Sequence, residues 1–535
     1  MRGRARPQRI AGVLVALAAA VSACGAPNTT TDGSLVLADG FELGGYNPIA
    51  GYGAAGEAKM YDGLLKLHGG EGLPTLDPAL AAAAPAADPE ATEWTVPLRP
   101  GVKFSDGTDF DAADVVATYR AILDPVSASE VRSSYEMIER VEAVDPATVR
   151  FTLRYPYAAF PTKMLIGIVP SEAVATPGRA AESPLNSAPI GTGPYRLTRL
   201  TPDRAVFEAN ENYWGGAPSV KKLTLVYVPD DNTRAQRMAA GELDGTTLPP
   251  LLARTFAADE SKTVSSNTSA DWRGVSLPSG HPVTGDAAVR RALNLAVDRR
   301  ATIDNVLGGY GRPASTPVPE VYGAAYNPQA VFAYDRPAAQ RILDEAGWRE
   351  GGDGIRVRDG QRASFTIVYK STDTLRRDLA QAFASDARRI GIEVNLEALS
   401  SDRIAARVDH DAVLLGGGDE PYDPDTQTYK VLHSSYLDPA VGSAYDNASR
   451  HADPAFDAAL DRARRSTDPA VRAAAYRDLQ AAYIADPSYV FLAFLDHTYV
   501  TRRSEWVMSG PVLEPHTHGV AWGPWWSLQT WTRRP

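Results

Sequence analysis

The chain has 535 residues, of which 44% are apolar and 22% charged, a globular composition long enough for roughly three or four domains. Its 44 glycines and 40 prolines predict many turns. The formal net charge of −11 argues against nucleic acid as a partner, because phosphate binding needs a basic face.

The first residues are typical of a targeting segment. An arginine-rich start precedes an apolar run at 10–21, which is too short to span a bilayer. The run ends at Val21-Ser22-Ala23-Cys24, which resembles a bacterial lipobox. We expect a signal peptide at 1–23, a lipid on Cys24 and a flexible tether at 24–33, which would hold the protein at the outer face of a bacterial cell membrane. The alternative is an ordinary signal peptide with an incidental cysteine.

The first half of the chain predicts alternating strands and helices. Residues 51–56 spell G-x-G-x-x-G, but a dinucleotide site needs this motif directly after a strand, and Gly44, Gly45 and Pro48 intervene. We therefore expect a loop there, followed by a helix over 54–65. Period-two patterns and capping residues predict strands at 34–38, 93–98, 149–154 and 222–228, with helices at 111–123 and 230–238.

A boundary is predicted near 271–277, where the pattern becomes more helical. A strand at 364–369, a helix at 375–390 and a strand at 393–397 form a unit that favours a mainly parallel sheet. Helices at 455–464 and 469–484 and a strand at 490–495 follow. The tryptophan-rich tail at 522–526 is expected to pack against the first half.

The segment 416–425 is the main candidate site. An apolar run at 411–415 is followed by three glycines, and four carboxylates then lie between Asp419 and Asp425. Ligands of open α/β sheets bind beyond the carboxyl ends of strands, which makes this strand end a candidate site. Because the site carries several carboxylates, a cation is the expected ligand. An acidic surface turn is the alternative.

Five stretches in order resemble the extracytoplasmic solute-binding proteins of peptide and nickel ABC importers, family 5. They lie at 104–107, 190–195, 210–214, 289–294 and 343–348. The resemblance implies an α/β, two-lobed periplasmic-binding-protein-like fold, with the lobes joined by two crossing strands. Lobe I would comprise 34–272 plus 497–535, with a subdomain at about 75–190, and lobe II would comprise 273–496.

The resemblance also implies site residues. In peptide-binding members, an aspartate in a strand-end G-D segment pairs with the α-ammonium of the ligand, and Asp419, with Gly417 and Gly418, fits that place. Tyr422 would form a wall, whereas Asp423 and Asp425 are expected to have turn and helix-capping roles. Trp272 and Tyr52 are possible cleft aromatics, and core packing is the alternative for each.

Nickel binders of the same family are also similar to this chain at Tyr422, and His433 lies near their ligand histidine. However, their arginine is replaced by Ile166 or Gly167, and their tryptophan by Gly418 or Asp419. Losing a cation and gaining an anion favours a cationic ligand end, such as a peptide amine. A metal chelate, an oligosaccharide or an opine remain alternatives.

His516 and His518 have the spacing of a metal pair, but no third ligand is evident nearby, and a polar loop is the alternative. We expect no resident metal or cofactor. No G-x-S-x-G, H-E-x-x-H, C-x-x-C or P-loop pattern occurs, so an enzyme is not expected, although a glycosidase would need only two carboxylates. The implied partners are a small ligand and the permease and ATPase subunits, with the chain as a monomer.

Overall fold

The computed structural model describes residues 33–57, 59–439 and 441–534. The predicted signal peptide, Cys24 and nearly all of the predicted tether lie outside these ranges. Within them, no helix combines the length and the apolar character needed to cross a membrane.

The described ranges contain eleven α-helices. They are α1 (Ala112–Leu123), α2 (Asp231–Ala239), α3 (Pro250–Ala253), α4 (Ala287–Ala296), α5 (Arg299–Asn305), α6 (Arg336–Glu345), α7 (Thr374–Arg388), α8 (Ser401–Ala405), α9 (Pro424–Leu432), α10 (Pro454–Arg464) and α11 (Pro469–Ala485).

The strands in the same ranges are β1 (Ser34–Asp39), β2 (Leu65–His68), β3 (Thr75–Pro78), β4 (Ala86–Ala87), β5 (Glu93–Pro97), β6 (Ile138–Asp145), β7 (Thr148–Leu153), β8 (Tyr195–Thr201), β9 (Arg204–Ala209), β10 (Lys222–Tyr227), β11 (Gly245–Thr247), β12 (Lys262–Ser276), β13 (Gly311–Pro313), β14 (Arg349–Glu350), β15 (Arg356–Arg358), β16 (Gln361–Arg362), β17 (Ser364–Lys370), β18 (Glu393–Leu399), β19 (Ala412–Gly417), β20 (Tyr489–Arg502), β21 (Trp506–Val507) and β22 (Thr532–Arg533).

One large mixed sheet runs through the molecule. Its strand order is β18-β17-β19-β12-β20-β11-β1-β10-β9-β8, and β13 also pairs with β20. We call the half from β11 to β8 the first lobe and the half from β18 to β19 the second lobe. The long antiparallel strands β12 and β20 join the two halves. The predicted two-lobed α/β fold with two crossing strands is confirmed, whereas the predicted residue limits of the lobes stay a prediction.

Each lobe has its own hydrophobic core. The first core includes Phe151, Leu223 and, from the tail, Trp525. The second is built around residues such as Phe365 and Leu492. The first core confirms that the tail packs against the first half of the chain, and burial of this apolar surface is the main force that holds each lobe together.

The sequence pattern located the second lobe better than the start of the first. The unit β17-α7-β18 is present, and β17 pairs in parallel with both β18 and β19. The helix predicted over 54–65 is wrong, because turns occupy 51–56 and β2 begins at Leu65. Gly53 and Gly56 have φ values of +72° and +95°, which a helix does not allow.

Candidate functional site

Strand β19 ends in glycines because the neighbouring strand β12 leaves no room for side chains. Gly417 pairs with Trp272, and a Cβ at Gly417 would overlap the indole ring. At Gly418 the φ of +108° is left-handed, and a Cβ would lie 2.5 Å from the carbonyl oxygen of Ala270. These glycines therefore allow β19 to pack closely against β12 of the same chain.

A cavity of about 320 Å³ opens at this strand end. Gly417, Gly418, Asp419 and Trp272 contribute to its lining. Asp419 is exposed, and its carboxylate has no hydrogen bond or ion pair to any other described residue. The volume falls within the range of small-molecule sites, about 300–1,000 Å³. The predicted anchor thus lies on the wall of a ligand-sized cavity.

Two buried polar atoms belong to residues of this wall. Nε1 of Trp272 and Oε1 of Gln427 have no hydrogen-bond partner in the described ranges, although both residues are only 1% exposed. An unpaired buried donor or acceptor costs about 1–3 kcal/mol, so each of these atoms is a local energetic cost at the wall. Arg376 and Lys430 add positive charge to the same lining.

Asp423 and Asp425 hold the segment and helix α9 in place. Asp423 caps α9 by accepting a hydrogen bond from the backbone N of Asp425 at 2.8 Å, and it pairs with Arg472 at 2.5 Å. Asp425 accepts hydrogen bonds from Nε and Nη2 of Arg464 at 2.9 and 2.8 Å. Burial acts to raise the pKa of Asp425, but Arg464 outweighs it and the pKa is lowered. The capping role is confirmed for Asp423, whereas the side chain of Asp425 forms a buried ion pair.

Glu420 connects the two lobes. Its carboxylate forms an ion pair with Nζ of Lys163, and the two side chains are 12% and 4% exposed. Together with the ion pairs of Asp423 and Asp425, this leaves Asp419 as the one carboxylate between 419 and 425 without a cationic partner among the residues described.

Tyr422 inserts from the segment into the core of the first lobe. It is buried in that core, and its hydroxyl donates a hydrogen bond to the carbonyl oxygen of Ala55 at 2.9 Å. Tyr52 is half-buried in the same loop region and packs edge-to-face against Tyr46 and Tyr61. The described lining of the 320 Å³ cavity includes neither Tyr422 nor Tyr52. Their contact with a ligand stays a prediction.

Glu57 lies at the same interlobe contact and was not predicted. It interacts electrostatically with Tyr52 and Tyr422. Its buried Oε2 has no hydrogen-bond partner in the described structure. Burial, with a smaller contribution from Glu420, raises the pKa of Glu57 to about 7. The carboxyl group therefore titrates near neutral pH, beside the contact that joins the lobes.

The three candidate histidines lie in different places. His433 stacks on Tyr429, with ring centroids 4.3 Å apart, and is not among the described residues that line the cavity. His516 does line the cavity. His518 stacks on His497 of β20 at 4.2 Å. Of the three, His516 has the position from which a ligand in the cavity could be contacted.

A buried charge network occupies the crossing of β12 and β20. His497 lies between two carboxylates, with Nε2 3.0 Å from Asp271 and Nδ1 2.7 Å from Glu514. Burial opposes its charge, but these two hydrogen bonds outweigh burial and raise the pKa of His497 to about 9. Burial would also raise the pKa of Asp271, yet Arg273 and the histidines hold it well below its usual range.

The sequence shows no third metal ligand near His516 and His518, but the fold brings Asp271 and His497 of this network close to His518. Ligand atoms of Asp271, His497 and His518 lie within 4.8 Å of one another. Both ring nitrogens of His497 already contact carboxylates, however, and its raised pKa keeps them protonated near neutral pH. A metal ligand must be deprotonated, so the group is better suited to holding the crossing strands together.

Several residues of the site had no signal in the sequence. Lys163 precedes Glu420 by 257 residues, and nothing local marks it as a partner. Arg376 lies near the start of α7, where it also pairs with Asp373 at 2.7 Å. Gln427 lies in the first turns of α9, directly after the segment 416–425.

The comparisons with known proteins cover nearly the whole chain. The sequence model described as "Bacterial extracellular solute-binding proteins, family 5 Middle" matches residues 75–438. Protein XP55 of Streptomyces lividans is 45% identical over 505 residues, which are 93% of this chain and 91% of XP55.

Solved structures with the same architecture include NikZ from Campylobacter jejuni in complex with Ni(L-His). It is 27% identical, with a TM-score of 0.84 over 94% of this chain and 99% of NikZ. AppA from Bacillus subtilis, in complex with a nonapeptide, is 22% identical, with a TM-score of 0.79 over 94% of this chain and 99% of AppA. The likeness to AppA concerns the fold alone.

Proposed function

The chain belongs to family 5 of the bacterial extracellular solute-binding proteins, and from this premise we propose that it captures a peptide or peptide-like ligand in an interlobe cleft that includes the cavity at the end of β19. Its class is that of a solute-binding protein of an ABC importer, not of an enzyme. The proposal includes a lipid anchor at Cys24, a monomeric chain, and delivery of the ligand to permease and ATPase subunits. It also includes the lobe limits of 34–272 plus 497–535 and 273–496.

One observation carries the choice of ligand: the carboxylate of Asp419 has no described cationic partner, whereas its acidic neighbours are paired. A buried ammonium needs a charged partner and further acceptors, because its desolvation is costly. Asp419 offers the charged partner, and the side chain of Gln427 lies on the same wall. Arg376 and Lys430 suit the carboxylate of the same ligand, so the lining favours a zwitterion such as a short peptide.

A metal chelate is the second candidate, because His516 lines the cavity and the similar NikZ was solved with Ni(L-His). The stacking of His433 on Tyr429 speaks against the histidine that the sequence comparison suggested. Native mass spectrometry with added Ni²⁺, with and without L-histidine, tests this candidate. Retention of the metal would favour it, and absence of retention would remove it. Another solute, such as an oligosaccharide or an opine, would appear in the same spectra as a co-purified mass.

Calorimetric titration with di- to pentapeptides tests the peptide proposal. Asp419→Asn should weaken binding by about 2–5 kcal/mol, because the ligand's ammonium loses its charged partner. Asp304→Asn is the matched control, since Asp304 is also exposed and lies on α5, away from the cavity lining. Equal affinities for the wild type and Asp419→Asn would refute the assignment of Asp419.

A further inference from the structure

The ion pair between Lys163 and Glu420 crosses directly from one lobe to the other. Lys163 lies in a short helical turn, Phe160–Met164, whose backbone is fixed by a 2.9 Å hydrogen bond from the hydroxyl of Tyr119 to the carbonyl oxygen of Lys163. Its Nζ lies 5.8 Å from the ring centroid of Tyr135. Both charged groups are therefore largely buried, at a contact between elements that lie far apart in the sequence.

The pair lies beyond Asp419 as seen from the main cavity. Asp419, Thr426 and Lys430 line both the 320 Å³ cavity and a second cavity of about 30 Å³. Lys163 and Glu420 line only the smaller one. A space of 30 Å³ holds about one water molecule. The space beyond Asp419 on this side, between Asp419 and the ion pair, is therefore about the size of a water molecule.

Other interlobe contacts close the same end. The hydroxyl of Tyr157 donates a hydrogen bond to Oδ2 of Asp425 at 2.9 Å, and both residues line the small cavity. Arg464 completes this wall by pairing with Asp425 and lying 5.6 Å from the ring centroid of Tyr157. The wall thus contains side chains of both lobes and is complete only when they meet.

We infer that the Lys163–Glu420 pair is an end stop of the ligand cavity, which limits the cargo to molecules whose amine at Asp419 carries no bulky substituent. The inference rests on the proposed function. Lys163 also neutralises Glu420, so that Asp419 alone remains for the ligand's charge. A buried ion pair adds little stability compared with an apolar pair, so a contribution to ligand selection gives a reason for its presence in the cleft.

The test uses the tripeptide trialanine in three forms. These are the free peptide, an N-propyl form that keeps the positive charge of the amine, and an N-acetyl form that lacks this charge. Calorimetry on the wild type should show binding of the free form and at least about tenfold weaker binding of the N-propyl form, because its added methylenes meet the stop. The double variant Lys163→Ala/Glu420→Ala should raise the ratio of N-propyl to free affinity by about tenfold or more. The N-acetyl form should stay weak in this variant, because it offers no cation to Asp419.

The variant Lys163→Met/Glu420→Met is the matched control, because it keeps the volume of the pair without its charges and should still exclude the N-propyl form. Thermal unfolding of each variant checks that it is folded. Binding of the N-propyl form to the wild type as tightly as the free form would overturn the end stop, as would an unchanged ratio in the alanine variant. Equal binding of the N-acetyl and free forms to the wild type would instead overturn the proposed function.

Discussion

Replacing His497 by glutamine tests the charge network at the crossing of the two strands. The pKa of His497 is raised from its ordinary value of 6.5 to about 9 by its hydrogen bonds to Asp271 and Glu514. At about 1.4 kcal/mol per pKa unit, this corresponds to roughly 3 kcal/mol of native-state stabilisation. Because the native pKa is raised, this stabilisation is fully present below pH 6.5 and is lost as the pH rises through about 9.

His497→Gln should therefore destabilise the protein more at about pH 6 than at about pH 10, with a difference of about 3 kcal/mol between the two conditions. Urea unfolding followed by tryptophan fluorescence gives both free energies of unfolding. His410→Gln is the control, because His410 is exposed and no side-chain hydrogen bond to it is found in the described structure. A destabilisation by His497→Gln that is the same at both pH values would refute the reasoning.

Three further substitutions have defined expectations. Gly417→Ala should cost about 1–3 kcal/mol in urea unfolding, because the methyl group would overlap the buried indole of Trp272. Arg464→Leu should cost about 3–5 kcal/mol by the same assay, because it leaves Asp425 as a buried carboxylate without its cation. Burial raises the pKa of Glu57 from 4.5 to about 7. The native state therefore loses stability relative to the unfolded state as the pH rises from 4.5 through about 7, because the buried carboxyl group must ionise. The side chain of Glu57→Gln stays neutral at every pH. The free energy of unfolding of this variant should therefore rise by about 1–3 kcal/mol relative to that of the wild type when the pH is changed from about 4 to about 8.5.

Each of these substitutions has a control in the same chain. Gly70→Ala places a methyl group in open space and should be nearly neutral. Arg462→Leu removes an exposed arginine from the same helix, α10. Glu71→Gln replaces an exposed carboxylate. Each test variant should change the free energy of unfolding more than its control does. An equal effect would contradict the packing described at Gly417, the ion pair of Arg464 or the titration of Glu57, respectively.

Much of the second lobe could be predicted from periodicity, because its strands and helices are regular. β17, α7 and β18 follow one another with few residues between them, and their apolar patterns are clear. The stretch 54–65 misled the prediction, because its alanines favour a helix while Gly53 and Gly56 adopt positive φ values. The backbone geometry there is set by contacts with distant parts of the chain, such as the hydrogen bond from Tyr422 to Ala55.

The position of the site could be predicted from the sequence, but not which of its carboxylates form ion pairs within the protein and which one is left for a ligand. A strand followed by glycines and acids marks residues 416–425 in the sequence. Which acid is left for a ligand depends on Lys163, Arg464 and Arg472, which lie 39 to 257 residues away from their partners. Pairing over such separations is created by the tertiary fold, and a single sequence carries no local trace of it.

A crystal structure of the protein with the tightest-binding peptide tests the central claim most directly. We predict that the ligand lies between the lobes, with its amine nitrogen about 2.7–3.2 Å from a carboxylate oxygen of Asp419. A ligand bound outside the 320 Å³ cavity, or one with no cationic group at Asp419, would contradict it.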